Sequence, residues 1–214
     1  SNYLLSSSSN VFYGAGDSGT GVSVVFGNSV ENIPAYLFDG CEGLTSVTIG
    51  NSVTSIGDSA FNGCNRLTTI YYNAEAVNDL SSWSNVFHNA GSSGTGISVV
   101  FGDTVEKIPA WLFHDCGGLT SVTIGNSVTS FGNGVFSDCD GLTSVYINDV
   151  ANWCKISFAS ELSNPLYFAK NLYLNNVLVT NLTISDSVTS IGNFAFSGCE
   201  GLTSITIPDS VTSI

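Results

Sequence analysis

The sequence predicts a solenoid, a single stack of short coils in which each turn adds one strand to a parallel sheet. Three observations predict it. A unit of 23 residues recurs at 28–50, 51–73, 103–125, 126–148 and 186–208. A longer unit lies over it, because residues 10–27 match 85–102 and residues 28–73 match 103–148, both at an offset of 75. Within each copy the apolar residues keep one spacing, L-x-x-V-x-I, as at Leu44, Val47 and Ile49. No coil of this length can bury its own apolar face, so stability must come from stacking on neighbours. Residues 1–214 are read as one such domain. From the absence of methionine, and the opening of another copy at 209-DSVTSI-214, the chain is expected to be a piece of a longer protein.

Each element follows from the repeat. Alternation at Val47 and Ile49 with β-branched neighbours reads as a short strand with one buried face. Its inward residues form two ladders. One runs Val24, Val47, Ile70, Val99, Val122, Val145, Leu182, Ile205, and the other Phe26, Ile49, Tyr72, Phe101, Ile124, Ile147, Ile184, Ile207. Eight strands in register would extend roughly 35 Å at ~4.8 Å per strand. The irregular coils, 74–102 and 149–185, hold 29 and 37 residues. Both are expected to bulge outward while the sheet continues past them. On the return path, Val30, Ile33 and Phe38 have equivalents at Val53, Ile56 and Phe61, at Val105, Ile108 and Phe113, at Val128, Phe131 and Phe136, and at Val188, Ile191 and Phe196. The phenylalanines are expected to form an aromatic spine. Residues 1–27 and 74–102 read as lacking the Phe and Cys positions. Gly57, Gly132 and Gly192 share a slot with Pro34 and Pro109, so a tight turn fits there better than a positive φ.

Composition limits the function. The net charge is −13, with only Arg66, Lys107, Lys155 and Lys170 as cations. Such a surface cannot displace counterions from a phosphate backbone, which argues against nucleic acid, and anionic lipid should repel it. No apolar run approaches the ~18 residues of a membrane span, and no membrane insertion is expected.

Five of the six cysteines, Cys41, Cys64, Cys116, Cys139 and Cys199, fall in one slot, three residues after the phenylalanine. They read as packed free thiols, as does Cys154, with pairing of adjacent ladder cysteines as the alternative. A ladder of single cysteines lacks the four clustered ligands that zinc needs. His88 and His114 occupy variable slots with no constant nucleophile beside them. Asp39, Glu42, Asp115, Asp138, Asp140 and Glu200 lie near coil corners and read as a solvated acidic edge, with weak calcium binding as the lesser alternative. Neither a cofactor nor a metal is expected. Asn181-Leu182-Thr183 is the sole glycosylation sequon.

Outward strand positions form two columns of small uncharged residues, among them Thr48 and Thr123. Tyr71 and Tyr146 interrupt one column, three strands apart or roughly 14 Å. Tyrosine combines apolar area with a polar tip and suits an interface. The simpler alternative is a strand residue copied with its long repeat. The second candidate is the divergent coil, where Trp153, Lys155, Tyr167, Lys170 and Tyr173 gather aromatics and cations. There the competing reading is a small satellite core closed by Trp153, Phe158 and Phe168.

The pattern SVTSIGxxAFxGCxxLTSVTI, nearly complete in Ser52–Ile70 and Ser187–Ile207, resembles the BspA-like (Treponema-type) leucine-rich repeats. The stretches 153-WCKISFASELSNPL-166 and 178-LVTNLTIS-185 resemble an irregular coil of the same proteins. The resemblance implies a right-handed leucine-rich-repeat solenoid with short parallel strands on its concave face. It further implies a cell-surface or secreted protein that is not an enzyme and that adheres to host matrix or surface proteins or to other microbes. A structural spacer and a glycan-binding module are the alternatives.

Overall fold

The computed structural model describes residues 11–214. Alternating burial along each repeat strand builds an eight-stranded sheet. Its first seven strands are Val22–Val25, Leu44–Ile49, Thr69–Tyr72, Ile97–Phe101, Leu119–Thr123, Ser144–Ile147 and Leu172–Leu174, all parallel. The inner ladder is continuous through Val24, Val47, Ile70, Val99, Val122, Val145 and Leu172. A second wall consists of two-residue strands. Asn32–Ile33 pairs with Ser55–Ile56, and Lys107–Ile108, Ser130–Phe131 and Ser157–Phe158 form a separate ladder. One hydrophobic cluster runs between the walls from Ile33 to Ala195.

The coils are joined by more than the sheet. Thr45 Oγ1 donates to Val22 O (3.1 Å), Thr68 Oγ1 to Thr45 O (3.1 Å), Thr120 Oγ1 to Ile97 O (3.0 Å) and Thr143 Oγ1 to Thr120 O (3.2 Å). Each threonine of the LTS segment thus ties its coil to the preceding one. In the divergent coil Asn171 Nδ2 takes over this duty, donating to Thr143 O at 3.2 Å. The Ser-Val-Thr threonines do the same on the far wall, with Thr54 donating to Glu31 O and Thr129 to Glu106 O.

The aromatic spine is longer than the repeat alignment implies. Phe12, Phe38, Phe61, Phe87, Phe113 and Phe136 stack in sequence with centroids 4.6–6.1 Å apart. The expectation that 1–27 and 74–102 lack the Phe position is therefore corrected. Phe12 and Phe87 fill it, and Ala15 and Ala90 follow three residues later in the cysteine slot. The motif survives there as F-x-x-A, and the Gly-rich insertion Gly91–Gly96 separates Ala90 from the next strand residue, Ile97. Burying each full ring contributes about 2–3 kcal/mol.

Two further expectations about the irregular coils divide. At 74–102 the sheet does continue, with Ile70 directly beside Val99. At 149–185 it does not, and Leu182 is not the residue beside Val145. The chain completes a coil of its own through the helix Val150–Cys154, the strand Ser157–Phe158 and the helix Leu166–Ala169, and enters the sheet at Leu172–Leu174. Asn175 (φ 50°) and Asn176 (φ 66°) then turn it back into the antiparallel strand Val177–Leu178, which closes the sheet. Two successive positive φ values are what a tight two-residue hairpin requires, and asparagine tolerates them. Asn181–Thr183 starts afresh and, among the described residues, pairs only with Ser204–Thr206.

Gly57 and Gly132 have no positive φ. A Cβ at either would collide with the backbone of Ala35 or Ala110 on the preceding coil, so close approach fixes these glycines. One column of left-handed positions lies elsewhere in the coils, at Tyr36, Ser59, Asn85, Trp111, Gly134 and Phe194.

Candidate binding face

Alternation along the parallel strands turns one row of side chains away from the core. In register it reads Val25, Thr48, Tyr71, Val100, Thr123, Tyr146, Tyr173 and Leu178. Thr48 stands beside Tyr71, which is 46% exposed. Three strands on, Tyr146 and Tyr173 occupy adjacent strands and stack with centroids 4.8 Å apart and planes 25° apart. The two sequence candidates thus meet, since Tyr173 from the divergent coil completes the row that holds Tyr146. Between Thr123 and the tyrosine pair the face drops into an open depression of about 430 Å³. Ser98, Ser121, Thr123, Tyr146, Tyr173 and Asn176 line it.

The remaining candidates separate from this face. Trp153 is 1% exposed, and its Nε1 donates to Ala195 O at 2.9 Å while its ring packs on Phe158 at 5.4 Å. It is a core residue that ties the divergent coil to the next one, and its assignment to a binding surface is corrected. Trp153 and Phe158 belong to the main cluster, with Phe168 packed against it, so no satellite core forms. Lys155 is exposed at the end of the Val150–Cys154 helix, outside the eight-stranded sheet. Lys170 Nζ lies 3.2 Å from Glu200 Oε1 and 5.3 Å from the centre of the Tyr167 ring.

Sequence reading passed over Trp83, which is 84% exposed and is the most exposed tryptophan. It sits on a turn pinned by Ser84, whose N–H donates to Ser81 O (3.0 Å) and whose Oγ accepts from Ser81 N (3.1 Å). A tryptophan inside the polar run 81-SSWS-84 was the available signal.

The six cysteines are free, and all but Cys199 are buried. Cys64 Sγ donates to Phe38 O (3.1 Å) and Cys139 Sγ to Phe113 O (3.0 Å), each reaching the preceding coil. Burial pushes the Cys116 thiol up to about 12, with the Asp115 charge adding to it. Burial likewise raises Cys154 to about 11, with help from Asp149. At the coil corners His88 Nδ1 lies 2.8 Å from Asp115 Oδ2, His114 Nδ1 lies 3.5 Å from Asp138 Oδ2, and Asn62 Nδ2 donates to Asp39 Oδ1 at 2.7 Å. These acids bridge neighbouring coils. Among the described residues, no three His, Cys, Asp or Glu side chains converge as metal ligands, and no helix is long and apolar enough to cross a membrane.

A sequence profile described as the BspA type leucine rich repeat region matches residues 7–93, 84–173 and 166–214, with six copies. The chain belongs to the BspA-type leucine-rich-repeat family. Among solved structures, a leucine-rich repeat protein from Eubacterium ventriosum is similar over 100% of this chain and 54% of its own, at 21% identity and a TM-score of 0.50. This BspA-type chain therefore spans about half the length of that protein, and the likeness is one of fold. The Treponema pallidum leucine-rich repeat protein is 25% identical, covering 91% of this chain and 74% of its own, with a TM-score of 0.45. A leucine rich cell surface protein from Faecalibacterium prausnitzii is 19% identical over 88% of this chain and 60% of its own, with a TM-score of 0.33. No curated protein sequence matches the chain significantly.

Proposed function

We propose that this BspA-type solenoid is a non-catalytic interaction module, carried at the cell surface or secreted, that adheres to a host or microbial macromolecule through the outward face of its sheet. The observation that carries this reading is the Tyr146–Tyr173 stack, standing beside a depression lined by uncharged side chains in the row that also exposes Tyr71. A preformed, uncharged face with aromatic anchors loses little entropy on binding and desolvates at little cost. The surface location rests on family membership. A spacer role is the second reading. It draws support from the threonines, whose hydroxyls are spent on coil-to-coil bonds.

Binding to arrayed host matrix and microbial surface proteins at physiological salt tests the proposal. Saturable binding to one array member, lost when Tyr71, Tyr146 and Tyr173 are all changed to Ser but kept in Trp83→Ser, is the expected result. Binding that survives the triple change moves the site off this face, and a blank array favours the spacer.

A further inference from the structure

We infer that the depression beside Tyr146 is a subsite for a neutral glycan. The inference rests on the sheet face being a binding face and names the ligand class that one part of it takes. Three features converge there. The first is shape. Tyr146 shares one ring face with Tyr173, so its other face turns toward the strand of Thr123, its register neighbour. The ring stands as a wall over the shorter Ser98, Ser121 and Thr123, and the open depression beside it, about 430 Å³, offers a surface on which a sugar ring can lie.

The second feature is the lining. All six lining residues carry a hydroxyl or an amide, and none carries a charge. Elsewhere on this face neighbouring polar groups satisfy one another, as Ser23 Oγ and Ser46 Oγ do at 2.6 Å. Among the described residues, the side chains of Ser98, Ser121, Thr123 and Asn176 make no such bond, so they are available to a ligand that both donates and accepts. The third feature is an aromatic wall meeting a polar floor. A pyranose ring matches that pairing, with an apolar C–H face to lie against Tyr146 and equatorial hydroxyls to reach the floor. The net charge of −13 disfavours sialylated or sulfated sugars.

The test is a glycan array carrying neutral, sialylated and sulfated oligosaccharides, printed beside the protein array and probed with the full chain. Hits are titrated against Tyr146→Ser, Tyr146→Phe, Thr123→Val and Trp83→Ser, each checked for unchanged circular dichroism. The expected result is saturable binding of a neutral glycan, weakened about tenfold or more by Tyr146→Ser. Trp83→Ser, away from the sheet face, stays within about threefold, and Tyr146→Phe, which keeps the ring, and Thr123→Val fall between the two. Binding only to arrayed proteins, lost in the same variants, overturns the glycan assignment and leaves the binding face standing. Binding only to anionic glycans, or a neutral glycan indifferent to Tyr146→Ser, also overturns it. Silence on both arrays overturns the glycan assignment and the face together.

Discussion

Tyr72 lies fully buried in the second inward ladder between Ile49 and Phe101, and its hydroxyl has no hydrogen-bond partner among the described residues. A buried hydroxyl that has left water without a replacement bond costs about 1–3 kcal/mol. Tyr72→Phe is expected to raise stability by about 1 kcal/mol, read as a higher urea midpoint at an unchanged m-value. A loss of stability would mean that the hydroxyl has a bond not accounted for. The buried thiols give a second residue-level prediction. The folded state holds Cys116 and Cys154 neutral up to about 12 and about 11, above the ordinary value of 9.0. Their contribution to stability is therefore complete below pH 9 and is lost as pH rises through 11 to 12, because the unfolded thiols ionise first. A thiol reagent at pH 8 should leave the buried cysteines unmodified in the native chain and label all six after denaturation. Rapid labelling of the native buried thiols would contradict this packing.

At the scale of elements, the hairpin decides where the sheet ends. Asn175 at φ 50° is a position where a side chain other than Gly or Asn pays about 1–2 kcal/mol. Asn175→Ala is expected to cost about 1 kcal/mol in thermal unfolding, and Asn175→Gly to stay within about 0.5 kcal/mol of the parent. Equal stability of the two variants would mean that the turn is not held in this conformation. The hairpin also marks the boundary of what the sequence conveys. Ladders, strand register and the phenylalanine spine could be read because a strict period places like residues over like residues. Leu172 and Leu174 carry the same apolar spacing as Leu182 and Ile184, so periodicity alone could not choose which pair follows Val145 and Ile147. The asparagine pair was the one local signal, and it was outweighed by the repeat. Phe87 was hidden for a related reason. The insertion falls after it, and alignment from the strand side displaces it from its slot.

For the whole molecule, the same ambiguity governed the candidate site. Tyr146 and Tyr173 could each be singled out, but their stacking depends on which strand follows Ser144–Ile147, a matter of topology and not of composition. Trp153 pointed the other way, because an aromatic in a divergent coil reads alike whether it faces solvent or spans to Ala195. The picture that results is a rigid stack whose corners and back wall are occupied by coil-to-coil bonds. Its uncharged outward row carries the tyrosines, and Trp83 protrudes from the irregular coil. The measurement that most directly tests this account is hydroxyl-radical footprinting of the chain with and without an array-identified ligand. The account predicts that Tyr146 and Tyr173 become protected on complex formation while Trp83 stays as reactive as in the free chain. Protection of Trp83 with both tyrosines still reactive would contradict it and place the binding surface on the irregular coil.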